Sequence, residues 1–532
     1  MNFNIRERRR HVADHLGKQT LSGIAKALGI SKSSVYRHRK GLSREAKHPE
    51  SSWWVSEAGS AWLKLLVLGI VYYFGIKQGV GSETLSEFFK AVRLDGQVGS
   101  SPSALRRLRT TMQERILAYE IGQSEHTQPK AGQGICVGGD ETFFGGLPIL
   151  VMMELSSNYI LTEIECENRT YDTWSAQISH WWSQGDWTCH FMVSDAARAL
   201  IKLAVSGLRT VHVPDLFHLL QTVSQPLGRV LGRQINQLRC QQEKLQQQLG
   251  KPLSGPRRAS LEQKQATLNQ KLEQLIAAKQ TYHQSLQHLT ASIHPFHLET
   301  QESQLGYDLA HRLQTPLEQL SQLASTHGTA GATTAIEDFK TQIPGLSQGI
   351  QAWWKWTSQV LALKTDDALT QNWIITALLP WVYWHQQQAK TRHPELKQRY
   401  KQAATQAYQT ILKHPWTVQI SQPERQQWTS WCQEMAHHYQ RTSSAVEGRN
   451  GYLSRLHHAG RGFSPTTLKV ATIIHNFDLR RPDGTTAAQR LFDHEFPNLF
   501  NSVVDSMGDL PMPRKSSKAQ RPKPLLTLTV PA

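Results

Sequence analysis

The sequence predicts an α+β multidomain protein: a small N-terminal helical domain, then a mixed α/β core interrupted by a large all-helical insertion. Three observations carry this. Residues 1–45 have the apolar spacing of short helices around a turn glycine, Gly29. From about 134 to 214 the apolar period shortens to that of strands separated by turn residues. From 225 to 435 the chain returns to long, Gln-rich helical runs with regularly spaced leucines.

The chain has 532 residues, enough for several domains and a substantial core, and a net charge of +17. That surplus of Lys and Arg points to a polyanionic partner, most simply nucleic acid. Five cysteines, Cys136, Cys166, Cys189, Cys240 and Cys432, include no CxxC pair. Their odd number and wide spacing argue against a disulfide framework and against a structural zinc site, and fit a reducing cytosol. The charged start, with Arg6, Arg8, Arg9 and Arg10, does not read as a signal peptide. The most apolar run, 61–74, contains Lys64 and is shorter than the roughly 20 residues a bilayer needs. It reads as a buried helix, and no membrane partner is expected. The expected location is cytoplasmic, associated with the nucleoid.

In residues 1–45, Ile24, Ala25 and Leu28 form the inward stripe of one helix. Gly29 supplies a turn where positive φ is cheap. Ser31 is placed to cap the next helix, which Val35 anchors to the first. Ser33, Ser34, Tyr36, Arg37, Arg39 and Lys40 are left on the outer face, as a helix reading the major groove requires. A solvated helical hairpin is the plainer alternative; the basic outer face favours a helix-turn-helix. A second helical domain follows at 46–130, opening on a linker (46–60) and containing helices at 61–74, 82–92 and 103–119. The last carries Arg106, Arg107, Arg109 and Arg115, so this block reads either as a second DNA-binding unit or as a packing domain.

The core begins at 131. Strands are expected at 135–144, 149–155 and 159–167, with turns at Leu147-Pro148 and Ser156-Ser157-Asn158. A helix (172–184), a strand (190–194), a helix (198–206) and a strand (210–214) follow. Three consecutive strands followed by strand–helix–strand is the order of an RNase H-like core. The insertion, 225–435, opens with a helical hairpin, 225–249 and 260–289, around a Gly250 to Pro256 turn. A Trp-rich block follows: Trp353, Trp354, Trp356, Trp373, Trp381 and Trp384. Such a stripe is usually core, with base stacking the other possibility. Residues 436–500 hold the helices that close the core, and 501–532 reads as a disordered tail.

Asp140, in Gly138-Gly139-Asp140-Glu141-Thr142-Phe143-Phe144, lies on the first strand, and Asp195, in Phe191-Met192-Val193-Ser194-Asp195, ends the fourth. In an RNase H-like sheet these strands are neighbours, so both carboxylates can face one point. Mg²⁺ takes hard oxygen ligands, and two ions can activate the attacking oxygen and stabilise the leaving oxygen of a phosphodiester displacement. For Asp195, capping of the following helix competes with that role. Glu447, in Ser443-Ser444-Ala445-Val446-Glu447-Gly448-Arg449-Asn450, has the spacing of a capping box from Ser444, which accounts for it without a metal. Arg449 and Asn450 follow on the same helix, placed to meet DNA phosphate. Glu141 belongs on the opposite face of a regular strand and is left out of the site. His437-His438 and His457-His458 lack a partner set and are expected at the surface or facing DNA.

The segments Gly139-Asp140-Glu141-Thr142-Phe143, Val193-Ser194-Asp195, Asp215-Leu216-Phe217-His218 and Ser443 to Asn450 resemble those of DDE-type transposases. More narrowly, the chain is similar to bacterial insertion-sequence transposases with an RNase H-like core and an all-helical insertion before the last acidic residue. The resemblance implies that Asp140, Asp195 and Glu447 bind two Mg²⁺ ions, with Mn²⁺ as a substitute. Asp215 to His218 matches a motif of that family, which implies a catalytic or bracing role for His218 and a supporting one for Asp215. It further implies double-stranded DNA partners, terminal inverted repeats and a target. A homodimer or larger assembly is implied because two ends must be synapsed. The expected chemistry is cleavage at the element end followed by attack of the freed 3′-hydroxyl on target DNA. A catalytically idle relative, a helix-turn-helix regulator and another RNase H-like nuclease are the alternatives.

Overall fold

The computed structural model describes residues 5–45, 53, 56–183, 185–327, 330–460 and 462–513. Of the expected linker, 46–52 and 54–55 lie outside the described residues, as does 514–532 of the expected tail. The chain divides into two compact units, one of residues 1–127 and 452–532, the other of 128–451.

The first unit opens with three short helices, α1 (Ile5–His15), α2 (Leu21–Leu28) and α3 (Lys32–Glu45). Val12, Ile24 and Val35, one from each, are fully buried against one another. Gly29 ends α2 at φ +62°, its N–H turned back to the carbonyls of Ala25 and Lys26. The Ser31 hydroxyl accepts from the Ser34 N–H at 3.1 Å and starts α3. Along α3, Ser33, Tyr36, Arg37, Arg39 and Lys40 are exposed and Ser34 is half-buried.

Three further helices follow, α4 (Glu57–Ile70), α5 (Ser82–Ala91) and α6 (Pro102–Gly122). The first is capped by Ser56, so the helix takes up the end of the expected linker. Helix α4 continues as a π-turn, and the run Glu57–Ile76 is long and apolar enough to cross a membrane by length and composition. That is longer than the 61–74 read from the sequence. Leu63, Val67, Leu68 and Val71 on it are fully buried. Tyr119 and Gln113 of α6 are buried, and Arg106 reaches Glu83 of α5 at 2.9 Å.

The second unit is built on one five-stranded sheet: β1 (Gln133–Phe144), β2 (Leu147–Glu154), β3 (Tyr159–Glu165), β4 (Trp187–Ser194) and β5 (Val211–Pro214). The spatial order is β3-β2-β1-β4-β5, with β1–β2–β3 antiparallel and β4 and β5 parallel to β1. The first hairpin turns at Gly145 and Gly146, both at positive φ, the backbone a two-residue hairpin loop demands. The expected turn at Leu147-Pro148 is therefore displaced: both residues already pair within β2. Helices α7 (Tyr171–Ser183) and α8 (Arg198–Lys202) connect the later strands.

Helix α9 (Leu216–Leu249) starts at the end of β5 and runs unbroken through Pro226, so no boundary falls at 225. It forms an antiparallel pair with α10 (Gly255–Ser292), marked by Gln242 donating to Asn269 at 3.0 Å and Tyr282 donating to the Ser224 carbonyl at 2.9 Å. The unit continues through α11 (Leu309–Thr326), α12 (Ala330–Lys364), α13 (Ala368–Trp373), α14 (Leu379–Lys390), α15 (Pro394–Lys413) and α16 (Gln422–His438). Helix α12 lies directly on β5, because Gly345 and Gly349 leave room for Pro214 and Val213. Trp353, Trp354, Trp356, Trp373 and Trp384 are buried, and Trp353 donates to the Met435 carbonyl at 2.9 Å. They are core, which removes the base-stacking alternative for these five.

Helix α17 (Ser444–Gly460) carries Glu447 and spans the division between the units. The block expected to close the core is therefore divided, 436–451 in the second unit and 452–500 in the first. The first unit ends with α18 (Pro465–Phe477), α19 (Ala487–Phe492) and α20 (Leu499–Ser506). The segment expected to be a disordered tail from 501 is helical to Ser506, and Met507 and Leu510 are buried.

Candidate active site

Three parallel strands deliver an aspartate at the same end of the sheet. Gly139 of β1 is in register with Ser194 of β4, so Asp140 and Asp195 follow on adjacent strands. Ser194 is in turn aligned with Pro214 of β5, which precedes Asp215. The Asp195 Oδ1 accepts from the Ala197 N–H at 3.0 Å, so it fixes the turn after β4 while facing the site. Capping and site roles coexist there.

Asp215 is 1% exposed and points inward. Its Oδ1 accepts from the N–H groups of Phe217 at 2.7 Å and His218 at 3.2 Å, starting α9. Its Oδ2 accepts from the Ser443 N–H at 2.7 Å and from the Ser443 hydroxyl. The Leu216 N–H donates to the Arg441 carbonyl at 3.0 Å. The start of α9 and the entry to α17 are thereby fastened together. One turn into each, the His218 Nε2 and the Glu447 Oε1 meet at 2.9 Å. The Ser443 hydroxyl is committed to Asp215, and Glu447 faces His218. That replaces the capping-box account of Glu447, since the helix starts on Ser443 and Glu447 makes its contact across the site.

Oxygen and nitrogen atoms of Asp140, His218 and Glu447 lie within 4.8 Å of one another, as do carboxylate oxygens of Asp140, Glu141 and Asp195. Asp140 is common to both groups. Burial pushes its carboxyl up to about 7, helped by the negative charges of Glu447, Asp195 and Glu141. Like charges crowded in a half-buried cleft create demand for a cation, and the donors are hard oxygens with one imidazole, a set that fits Mg²⁺ or Mn²⁺. The Asn450 Nδ2 donates to the Asp140 Oδ2 at 2.8 Å, while its Oδ1 is buried with no partner among the described residues.

The expectations for three residues are corrected here. Arg449 is not placed to meet DNA: it is 4% exposed and forms a two-pronged pair with Glu163 of β3, at 2.7 and 2.6 Å. Asn450 turns to Asp140 rather than to a phosphate. Glu141, left out of the site, brings its carboxylate back beside Asp195, held by the Trp174 indole N–H at 3.3 Å and Arg169 at 3.6 Å. Strand alternation governs where a side chain leaves the backbone, not where a glutamate's terminal oxygens end. The Glu163–Arg449 pair left no mark in the sequence, because its partners are 286 residues apart.

A family model described as "Family of unknown function (DUF6399)" matches residues 374–519. That stretch contains Glu447 and omits Asp140, Asp195 and the whole sheet. No curated protein matches the chain.

Proposed function

We propose that the chain is a DDE-type transposase of the insertion-sequence class, which cuts element ends and joins the 3′-hydroxyl to target DNA. The observation that carries this reading is that Asp195 and Glu447 both approach Asp140. The three come from β1, the end of β4 and a helix reached only after the long helical insertion, yet Asp195 and Glu447 each bring a carboxylate oxygen within 4.8 Å of one on Asp140, in two groups that share it. The strand order β3-β2-β1-β4-β5, with its antiparallel hairpins and parallel additions, supports an RNase H-like core. Asp140, Asp195 and Glu447 would hold two Mg²⁺ ions, which when bound activate the attacking oxygen and stabilise the leaving one.

The protein's own groups set the geometry. Asp195 is fixed by the Ala197 N–H, Asp140 by the Asn450 amide, and Glu447 by the His218 imidazole. His218 and Glu447 keep about a third of their side chains exposed, which leaves the site open to a DNA backbone. The exposed Ser33, Tyr36, Arg37, Arg39 and Lys40 of α3, with Ser34, fit a helix that reads terminal repeats. A dimer or larger synaptic assembly on double-stranded DNA, in the bacterial cytoplasm and nucleoid, follows from that chemistry.

The test is strand cleavage and joining on labelled element ends with Mg²⁺. Asp140→Ala, Asp195→Ala and Glu447→Ala should each abolish both steps while end binding persists. Cleavage retained by any of the three overturns that residue's assignment; retention by all overturns the reading.

A further inference from the structure

A second cluster of side chains able to ligate a metal lies where the sheet meets α16. Cys136 sits four residues before Asp140 on β1, roughly 13 Å back along the strand. Its Sγ is 3.6 Å from the Glu154 Oε1 at the end of β2. The third member, His438, is the last residue of α16. One ligand atom from each of Cys136, Glu154 and His438 lies within 4.8 Å of the other two. Cys136 is fully buried, Glu154 is 1% exposed, and the His438 side chain is 16% exposed. His438 is thus not at the surface, as its sequence context suggested, but packed on Trp356 at 4.2 Å between ring centres.

We propose that Cys136, Glu154 and His438 form a binding site for a borderline divalent cation of the zinc type, independent of the carboxylate site. Thiolate, carboxylate and imidazole are the three protein donors Zn²⁺ takes. With Zn–S near 2.3 Å and Zn–O near 2.0 Å, the edge of a tetrahedron is roughly 3.5 Å. The Cys136–Glu154 separation of 3.6 Å already has that length. One thiolate and one carboxylate beside a neutral imidazole carry two negative charges, which a divalent ion balances. The Ser156 hydroxyl lies 2.7 Å from the His438 Nδ1, 2.8 Å from the Glu154 Oε1 and 3.3 Å from the Cys136 Sγ. These hydrogen bonds hold the three ligand atoms around one point, and a water would supply the fourth position on binding.

The surroundings point the same way. The Glu154 Oε2 is taken by the N–H and hydroxyl of Ser157, which fixes the carboxylate with Oε1 turned to Cys136. The His438 Nδ1 faces the cluster while its Nε2 lies 3.9 Å from the Glu434 Oε1. A carboxylate behind the far nitrogen of a ligating histidine is the usual outer support of such sites. On binding, the Cys136 S–H bond is replaced by a sulfur–metal bond and the proton leaves to solvent. The ion then ties α16 to β1 and β2 immediately before the chain reaches Ser443 and Glu447.

The full-length protein, freed of metal and titrated with Co²⁺, tests this without reference to DNA cleavage. Wild type should develop thiolate-to-cobalt charge-transfer absorption, displaced by Zn²⁺ and untouched by excess Mg²⁺. Cys136→Ser should lack the band, and Glu434→Gln should weaken binding by roughly tenfold to a hundredfold. No band in wild type, or a band retained in Cys136→Ser, overturns the site. If Cys136→Ser does not fold by circular dichroism, His438→Gln decides instead, and a full band there overturns it. Failure leaves the transposase reading intact, because the carboxylate site contains no sulfur.

Discussion

Asp215 and Ser443, 228 residues apart, are joined by two hydrogen bonds inside the protein: the Asp215 Oδ2 accepts from the Ser443 N–H at 2.7 Å and from its hydroxyl. The other Asp215 oxygen caps α9. One buried carboxylate therefore sets where both His218 and Glu447 begin their helices, and so where they meet.

Asp215→Ala should therefore lower stability and abolish cleavage together. Loss of a helix cap and of two bonds to a buried charge corresponds to about 3 kcal/mol. Chemical denaturation measures the first effect and a labelled-end assay the second. Asp215→Asn keeps one acceptor oxygen and should fall between. Full activity in Asp215→Ala would show that His218 and Glu447 are placed by other contacts.

Asp140 gives a pH dependence with a defined sign. Its folded-state carboxyl is raised from the ordinary 3.8 to about 7, chiefly by burial and then by Glu447. The folded protein thus holds this proton more tightly than the unfolded chain. The stabilising contribution is complete below about pH 4 and is lost as pH rises through about 7, in metal-free protein. Mg²⁺ competes with the proton, so its affinity should climb with pH and level off above about 7. Glu447→Gln removes one of the causes and should move that rise to lower pH. Calorimetric titration across this range checks both, and an affinity independent of pH contradicts the coupling.

Much of this site was legible because its parts follow short apolar runs that mark strands. Asp195 follows the apolar run that ends β4, Asp140 follows one within β1, and the Asp215-to-His218 segment stands just after β5, so short strand-like runs expose them. What stayed hidden depends on side-chain reach and on distant partners. Glu141 alternates away from Asp140 along the strand and yet returns its oxygens to Asp195. Ser443 and Ser444 are adjacent hydroxyls, and the capping-box spacing from Ser444 gave Glu447 a competing role that the contact of Ser443 with Asp215 removes. The insertion looked separable because its leucine period is its own, whereas α12 uses Gly345 and Gly349 to lie on β5.

Arg449 illustrates the cost of such a hidden partner. Its side chain and that of Glu163 are 3% and 0% exposed, and they pair through two short bonds. Removing one member of a buried pair leaves an uncompensated charge, at a cost of about 3–5 kcal/mol. Arg449→Ala should thus destabilise the second unit strongly without changing the salt dependence of DNA binding. The double substitution Glu163→Leu with Arg449→Met should recover most of the stability. Denaturation curves of the wild type and the two variants form the test; a small effect from Arg449→Ala would mean that the pair contributes little and would reopen a DNA-facing role.

The last prediction separates positioning from reading on α3. Arg37, Arg39 and Lys40 are exposed cations, and Arg37 also bonds back to the Ser33 carbonyl at 3.3 Å and the Ser34 hydroxyl at 3.2 Å. A cation that neutralises one phosphate releases about one counterion, so its removal should reduce the slope of log affinity against log salt by about 1. Replacing Arg39 or Lys40 with Ala should do this equally on element ends and on unrelated duplexes. Ser33 and Tyr36 carry no charge, so Ser33→Ala and Tyr36→Ala should leave the slope unchanged and instead narrow the difference between the two DNAs. Fluorescence anisotropy with both duplexes over a salt series distinguishes these outcomes. Unchanged slopes and unchanged discrimination in all four variants would remove α3 from the DNA interface, because a helix seated in the groove cannot lose both its phosphate contacts and its base contacts without effect.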